Sequence, residues 1–207
     1  PVVNVSGRMY PVGVVWNEGD LFLHKIVDEV VEKIVYVHEH EPPGDVLVFM
    51  TGEDDINKVV SGVKKLQLVD LEVVPIYGAM SQEDQERIFD RFEGRRKVVV
   101  ATNIAETSIT IDGVTVVIDS GLVKQVHFNA ETGIESLDVV EHSQAGCEQR
   151  RGRAGRTRPG TCYRMYTEES FNGRLRFTEP EIRRSSLASV VLTMKDLGIA
   201  EVEQFDL

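Results

Sequence analysis

The sequence predicts an α/β protein, a mostly parallel sheet with helices on both faces, plus a β-hairpin and a short C-terminal helical tail. Three observations predict it. Short apolar runs such as residues 46–50 read as strands buried on both faces. Amphipathic stretches of helical period stand between these runs. Alternation of the two kinds of segment calls for parallel strands joined by crossover helices.

In chain order, Asp20 is a candidate N-cap for a first helix. Leu23, Ile26, Val27, Val30, Val31, Ile34 and Val35 recur at helical spacing, and Pro42, Pro43 and Gly44 stop them. A strand at 46–50 leads to a second helix marked by Ile56, Val59, Val60, Val63 and Leu66. Residues 73–77 form the next strand. Ser81 and Asp84 resemble a capping box opening a third helix that carries Ile88, Phe89 and Phe92. Strands follow at 97–101 and 114–119. A hairpin pairs 124–128 with 134–140 around a turn at 129–133. Residues 143–151 are helical, and 161–166 return as a strand. Pro180 suits a first helical turn, and Gly198 a stop, for a tail striped by Leu187, Val190, Val191, Met194 and Leu197. Little sequence follows to cover that stripe. Residues 1–178 therefore read as one lobe and 179–207 as the start of a further domain.

Composition bounds the function. The formal charge of −11 in 207 residues excludes a broad basic face that grips nucleic acid by charge alone. Any such contact must be local. No apolar run is long enough to cross a bilayer, and residues 1–10 lack the pattern of a signal peptide. Cys147 and Cys162 are too far apart for a CxxC motif and read as buried thiols of a reducing, intracellular compartment, nuclear or cytoplasmic.

In parallel sheets, ligands gather beyond the carboxyl ends of strands, which directs attention to the loops at 51–53, 102–112 and 119–124. The most informative segment lies elsewhere, at Gln149-Arg150-Arg151-Gly152-Arg153-Ala154-Gly155-Arg156. One helical turn puts Arg153 and Arg156 on one side, with Gln149 four residues before Arg153. Two guanidiniums and an amide suit phosphoryl transfer, where charge on the γ-phosphate is neutralised and a water oriented. Gly152 and Gly155 allow a backbone or phosphate to approach closely. The loop Thr102-Asn103-Ile104-Ala105-Glu106-Thr107-Ser108-Ile109-Thr110-Ile111-Asp112-Gly113 offers hydroxyls and an amide to phosphate and ribose oxygens. Thr51-Gly52-Glu53-Asp54-Asp55, taken alone, reads as an acidic helix N-terminus, with a phosphate contact through Thr51 as the alternative. No GxxxxGK[ST] or DExH segment occurs. Asp28-Glu29-Val30-Val31 begins like the latter but sits inside the first helix. His38-Glu39-His40 reads as a solvated helix end, with no metal site.

Together these segments resemble the second RecA-like lobe of superfamily 2 helicases, in the DEAH-box branch. The resemblance rests on TNIAETSITIDG at 102–113, QRRGRAGRTRPG at 149–160 and YTEESF at 166–171. It is supported by GDVLVFMTGEDDI at 44–56 and YGAMSQEDQERIF at 77–89. PEIRRSSLASVVLTMKDLGI, from 180, is similar to the beginning of the family's winged-helix domain. The likeness runs from about Gly7 to the end. GEDDI and GRTRPG are most similar to helicases of mRNA splicing and ribosome biogenesis. Three features depart from the pattern. Ser120-Gly121-Leu122 stands where Pro-Gly-Phe is common, Arg151 replaces the usual Ala, a form more familiar in viral helicases, and Glu148 adds an acid beside the arginine motif.

The resemblance implies roles. Gln149, Arg153 and Arg156 match the catalytic motif that senses the γ-phosphate, the two arginines as its fingers. Phe89 matches the aromatic that stacks on adenine, and Thr110 and Asp112 match positions near the nucleotide and ribose. Thr51, Thr102, Asn103 and Ser108 match positions near the RNA backbone. Residues 124–140 match a hairpin beside the RNA path, where Lys124 can reach a phosphate. ATP with Mg2+ is the implied cofactor. RNA, a first RecA-like lobe, further C-terminal domains and a G-patch-type activator are the implied partners. Without the first lobe the fragment is expected to be inactive. Alternatives are a viral-type or DNA-directed superfamily 2 translocase lobe and a non-catalytic RecA-like module that docks RNA or protein.

Overall fold

The structure, a computed structural model, describes residues 9–180 and 187–197. Its centre is a six-stranded parallel sheet: β1 (Val12–Val15), β2 (Asp45–Phe49), β3 (Leu71–Ile76), β4 (Arg96–Ala101), β5 (Val114–Asp119) and β8 (Gly160–Arg164). The strands lie in the order β1-β8-β5-β2-β4-β3. β6 (Leu122–Asn129) and β7 (Ile134–Glu141) form a separate antiparallel hairpin.

Strand alternation divides the core into two clusters. Val46, Val48, Val98, Val100, Val116 and Ile118 point to one face. There they meet Ile26, Val30, Ile34 and Val37 of α1 (Ile26–His40) and Ile56, Val59, Val60 and Val63 of α2 (Glu53–Lys65). Leu47, Phe49, Val99, Ala101 and Val117 point to the other face. Smaller elements cover that face: α3 (Gln82–Glu86), α4 (Ile104–Thr107) and α5 (Gln144–Gly152), with Ile88, Ala105, Ile111 and Ala154 among the buried contacts. This second, thinly covered face carries the candidate site.

Several elements differ from expectation. β1 was not expected; it pairs with β8, Val12 opposite Gly160. The first helix does not start at Asp20. A 3₁₀ turn at Leu23–Lys25 precedes α1, and Leu21 is drawn onto the core instead. The third helix is short. Ser81 caps it as expected, accepting from the Asp84 amide at 3.2 Å and donating to its carboxylate at 2.8 Å. After α3 the chain tightens to a 3₁₀ turn at Arg87–Phe89 and stops. The Lys97 ammonium ends it by taking the Ile88 carbonyl at 2.5 Å and the Asp90 carbonyl at 3.2 Å. Two free carbonyls at a helix end are what a buried cation can satisfy.

α6 (Glu168–Asn172) is capped by Thr167, whose hydroxyl accepts from the Ser170 amide. α7 (Leu187–Asp196) is the expected tail helix, with Met194 buried and Leu197 beyond it exposed. The expected start near Pro180 and stop at Gly198 involve residues 181–186 and 198–207, outside the described residues. The boundary expected at 178/179 falls on described residues, just before 181–186. Among the described residues, no helix is long and apolar enough to cross a membrane.

Candidate functional site

Two segments on the second face run from one end of the sheet to the other. The loop 102–113 leaves β4 at its carboxyl end, where the Thr102 amide donates to Ile76 O at 3.3 Å. It reaches the amino end of β5, where Gly113 O accepts from the Asp45 amide at 3.0 Å. α5 makes the same descent beside it. Ser143 caps its start, accepting from the Gly146 amide at 3.1 Å. The helix ends at Gly152, and a 3₁₀ turn, Arg153–Gly155, follows. The expected residues therefore spread along a whole face.

At the carboxyl ends lie Thr51, Thr102, Asn103 and Lys124. Thr51 is buried, its hydroxyl donating to Asp55 at 3.3 Å. Lys124 is exposed on β6, and a Cβ at Gly52 would sit 2.6 Å from its Nζ, so the ammonium overhangs the turn after Thr51. Asn103 is exposed at the start of α4, and the Thr102 hydroxyl accepts weakly from the Ile104 amide. Ser108 stands apart from this group, exposed at the far end of α4.

Gln149, Arg153 and Arg156 come together in one cleft of about 290 Å³, shared with Thr107, Glu106 and Glu148. Among the described residues, no carboxylate forms an ion pair with Arg153 or Arg156. Burial and the charge of Arg156 lower the Arg153 guanidinium from its ordinary value, against the pull of Glu106. Two like charges held side by side without a counter-ion form a place for an anion. Gly155 serves a different neighbour from the phosphate allowed for it: its Cβ would meet Tyr10 O at 2.5 Å, so the chain's own backbone makes the close approach.

Phe89, Thr110 and Asp112 line a second cleft, of about 470 Å³, with Arg91, Arg95, Lys97 and Asp45. Phe89 is 56% exposed, an unusual state for a large aromatic, and is free to stack on a ligand. Asp45, Lys97 and Gly113 place this cleft at the amino ends of β2, β4 and β5. The rule of carboxyl ends therefore covers only part of the site. The loop carries Thr110 and Asp112 past the strand before it turns back.

Sequence reasoning missed the buried cluster beneath these clefts. Arg150 has no exposed surface. Its Nε donates to Glu106 Oε2 at 3.1 Å, its Nη1 to Asp119 Oδ1 at 2.8 Å and its Nη2 to Leu122 O at 3.1 Å. The guanidinium also lies 4.8 Å from the Phe49 ring centroid. Tyr166 OH donates to Asp119 Oδ2 at 2.8 Å, and the Gly121 amide donates to Oδ1. Burial alone would raise Asp119; the Arg150 charge and these hydrogen bonds overcome it and hold the carboxyl below its usual range. One signal in the sequence could have found the cluster: Asp119 closes an otherwise apolar strand, and a buried carboxylate needs a cation. Arg151, next in the chain, is half-buried and bonds Glu148 and Val12 O, tying α5 to β1. Both thiols are buried, and burial with the nearby Asp119 charge pushes Cys147 up to about 11.

The chain is similar to proteins of known kind. A family model for the helicase conserved C-terminal domain matches residues 26–158. A probable ATP-dependent RNA helicase DHX35 homolog of Caenorhabditis elegans is 43% identical over 210 residues, 99% of this chain and 28% of that protein. The crystal structure of the Escherichia coli DExH-box NTPase HrpB superposes with a TM-score of 0.84 at 32% identity, covering 96% of this chain and 24% of that one. A second HrpB structure, described as a DEAH/RHA helicase, gives 0.84 at 33% identity, over 93% and 24%. The chain thus spans under a third of the relatives it matches. It belongs to the helicase conserved C-terminal domain family, with the RecA-like fold of the helicase structures it matches.

Proposed function

We propose that this lobe is half of an ATP-dependent RNA motor, working against a first RecA-like lobe that supplies the P-loop and the acidic element absent here. One observation carries the reading: Arg153 and Arg156 share a cleft with Gln149 and, among the described residues, form no ion pair with a carboxylate. When the lobes close, the two arginines neutralise charge on the γ-phosphate and Gln149 orients a water. Phe89 stacks on the base, which suits any nucleobase because each offers a π-face, while Thr110 and Asp112 hold the ribose. When bound with ATP, Mg2+ would add further charge neutralisation on the phosphates. Among the described residues, no group of three His, Cys, Asp or Glu side chains could hold a metal, so we assign its protein ligands to the first lobe. Thr51, Thr102, Asn103, Ser108 and Lys124 contact the RNA backbone, and opening and closing of the lobes moves them along one strand. A G-patch-type activator is compatible with this scheme.

Steady-state ATPase kinetics of the complete helicase with saturating RNA test the reading. An arginine finger is typically worth on the order of 10³–10⁵ in rate, so Arg153→Ala and Arg156→Ala should lose most turnover. Lysine lacks the planar fork, so Arg156→Lys should be nearly as poor. Arg151→Ala should cost only a modest part of turnover, because Arg151 faces Glu148 and Val12 and not the cleft. Full turnover by Arg156→Lys, or inactivity of Arg151→Ala matching that of Arg153→Ala, would overturn the assignment.

A further inference from the structure

The buried cluster reaches two places that the motor reading keeps apart, the arginine cleft and the base of the hairpin. His142 is where they join. It directly follows β7, and its backbone amide donates to Gly121 O at 2.8 Å, just before β6 begins. Its ring turns away from the hairpin, over the first turn of α5, and its Nε2 lies 2.8 Å from Glu106 Oε1. The other oxygen of that carboxylate accepts from Arg150. Arg150 in turn donates to Leu122 O, two residues before Lys124. Glu106 itself lines the arginine cleft. A closed path of hydrogen bonds therefore connects both strands of the hairpin to the helix that ends at Gly152, just before Arg153.

Two further observations mark the imidazole as more than filling. A Cβ on Gly146 would fall inside the His142 ring, so the first turn of α5 is shaped to admit it. Among the described residues, the ring's buried Nδ1 has no partner. Because a carboxylate only accepts, Nε2 donates to Glu106, and this leaves Nδ1 unsatisfied. An orphaned buried polar atom is destabilising, and an apolar side chain would avoid it. Packing alone therefore does not account for a histidine here.

We propose that His142 is a positioning residue that couples the hairpin to the arginine pair. By holding Glu106 it sets Arg150, and with it the direction of α5 and the placement of Arg153 and Arg156. Nucleic acid engaged at the hairpin is thereby felt at the phosphate site. The inference rests on the motor reading above.

The test compares ATPase turnover of the complete helicase with and without poly(U). His142→Leu should cut the ratio of stimulated to basal turnover on the order of tenfold, a modest coupling between sites. His142→Gln, whose amide nitrogen can occupy the Nε2 position, should restore most of that ratio. Gly146→Ala should displace the ring and mimic His142→Leu, and the double variant should be no worse than either single one. Hydrogen–deuterium exchange reads the link without turnover: protection across 144–152 should fall in His142→Leu and persist in His142→Gln. Full stimulation and full protection in His142→Leu, or a Gln variant as impaired as Leu in both measurements, overturns the coupling. A wild-type enzyme that lacks RNA-stimulated turnover overturns the motor reading, while the exchange result still decides the coupling.

Discussion

Arg150 and Arg153 stand three residues apart in one motif and meet opposite surroundings. Arg150 is enclosed by Glu106, Asp119 and the Leu122 carbonyl, whereas Arg153 faces a cleft beside a second cation. The Arg150 contacts predict how stability depends on pH. Asp119 has its carboxyl lowered in the folded state, so its contribution is fully present above the unfolded value, about 3.9, and is lost as pH falls through the folded one. Removing one partner of a buried ion pair typically costs about 3–5 kcal/mol. Asp119→Asn should therefore unfold at lower denaturant than the wild type at pH 7, with the gap narrowing below about pH 4. A gap that stays constant through acid titration would contradict the account. At this scale the sequence was only half legible. Gln149, Arg153 and Arg156 share a face by helical spacing alone. Glu106, Asp119, His142 and Arg150 come from four separate segments, and no local spacing announces a meeting of that kind.

The central strands β2 and β4 were legible because they run apolar side chains without interruption, as in Val98, Val99 and Val100. β1 was not, since Val12–Val15 is four residues of an edge strand, includes Gly13 and is never fully buried. The short α3 was misjudged for a tertiary reason: Lys97, remote from the capping box, ends the helix through carbonyls of Ile88 and Asp90. That contact holds the turn presenting Phe89. Lys97→Met keeps the aliphatic stem but frees both carbonyls. In the complete enzyme, it should raise the KM for ATP several-fold while changing kcat less, as loss of ground-state binding does. A fall in kcat at unchanged KM would show that the turn serves the chemical step and not nucleotide capture.

For the whole molecule, the two faces of the sheet divide the work. α1 and α2 bury the larger apolar cluster, while short elements and one long loop cover the other side and carry the candidate groups. On the proposed motor reading, the lobe alone offers only one wall of a nucleotide site. The purified chain should show no ATPase above background with or without RNA, and clear turnover abolished by Arg153→Ala would refute the two-lobe scheme. It should also bind RNA weakly and without base preference, since its candidate contacts are hydroxyls, an amide and one lysine. The charge of −11 excludes the steep salt dependence of a many-lysine interface, and a tight, base-specific titration would argue against this account. The division of faces also bears on inheritance. Exposed groups such as Asn103 and Ser108 can change one at a time without disturbing the α1–α2 core. Asp119 and Arg150 have no such freedom, because removing either strands the charge of the other inside the protein. Substitutions of the outer surface should therefore be tolerated singly, whereas the centre accepts change only when both partners change together.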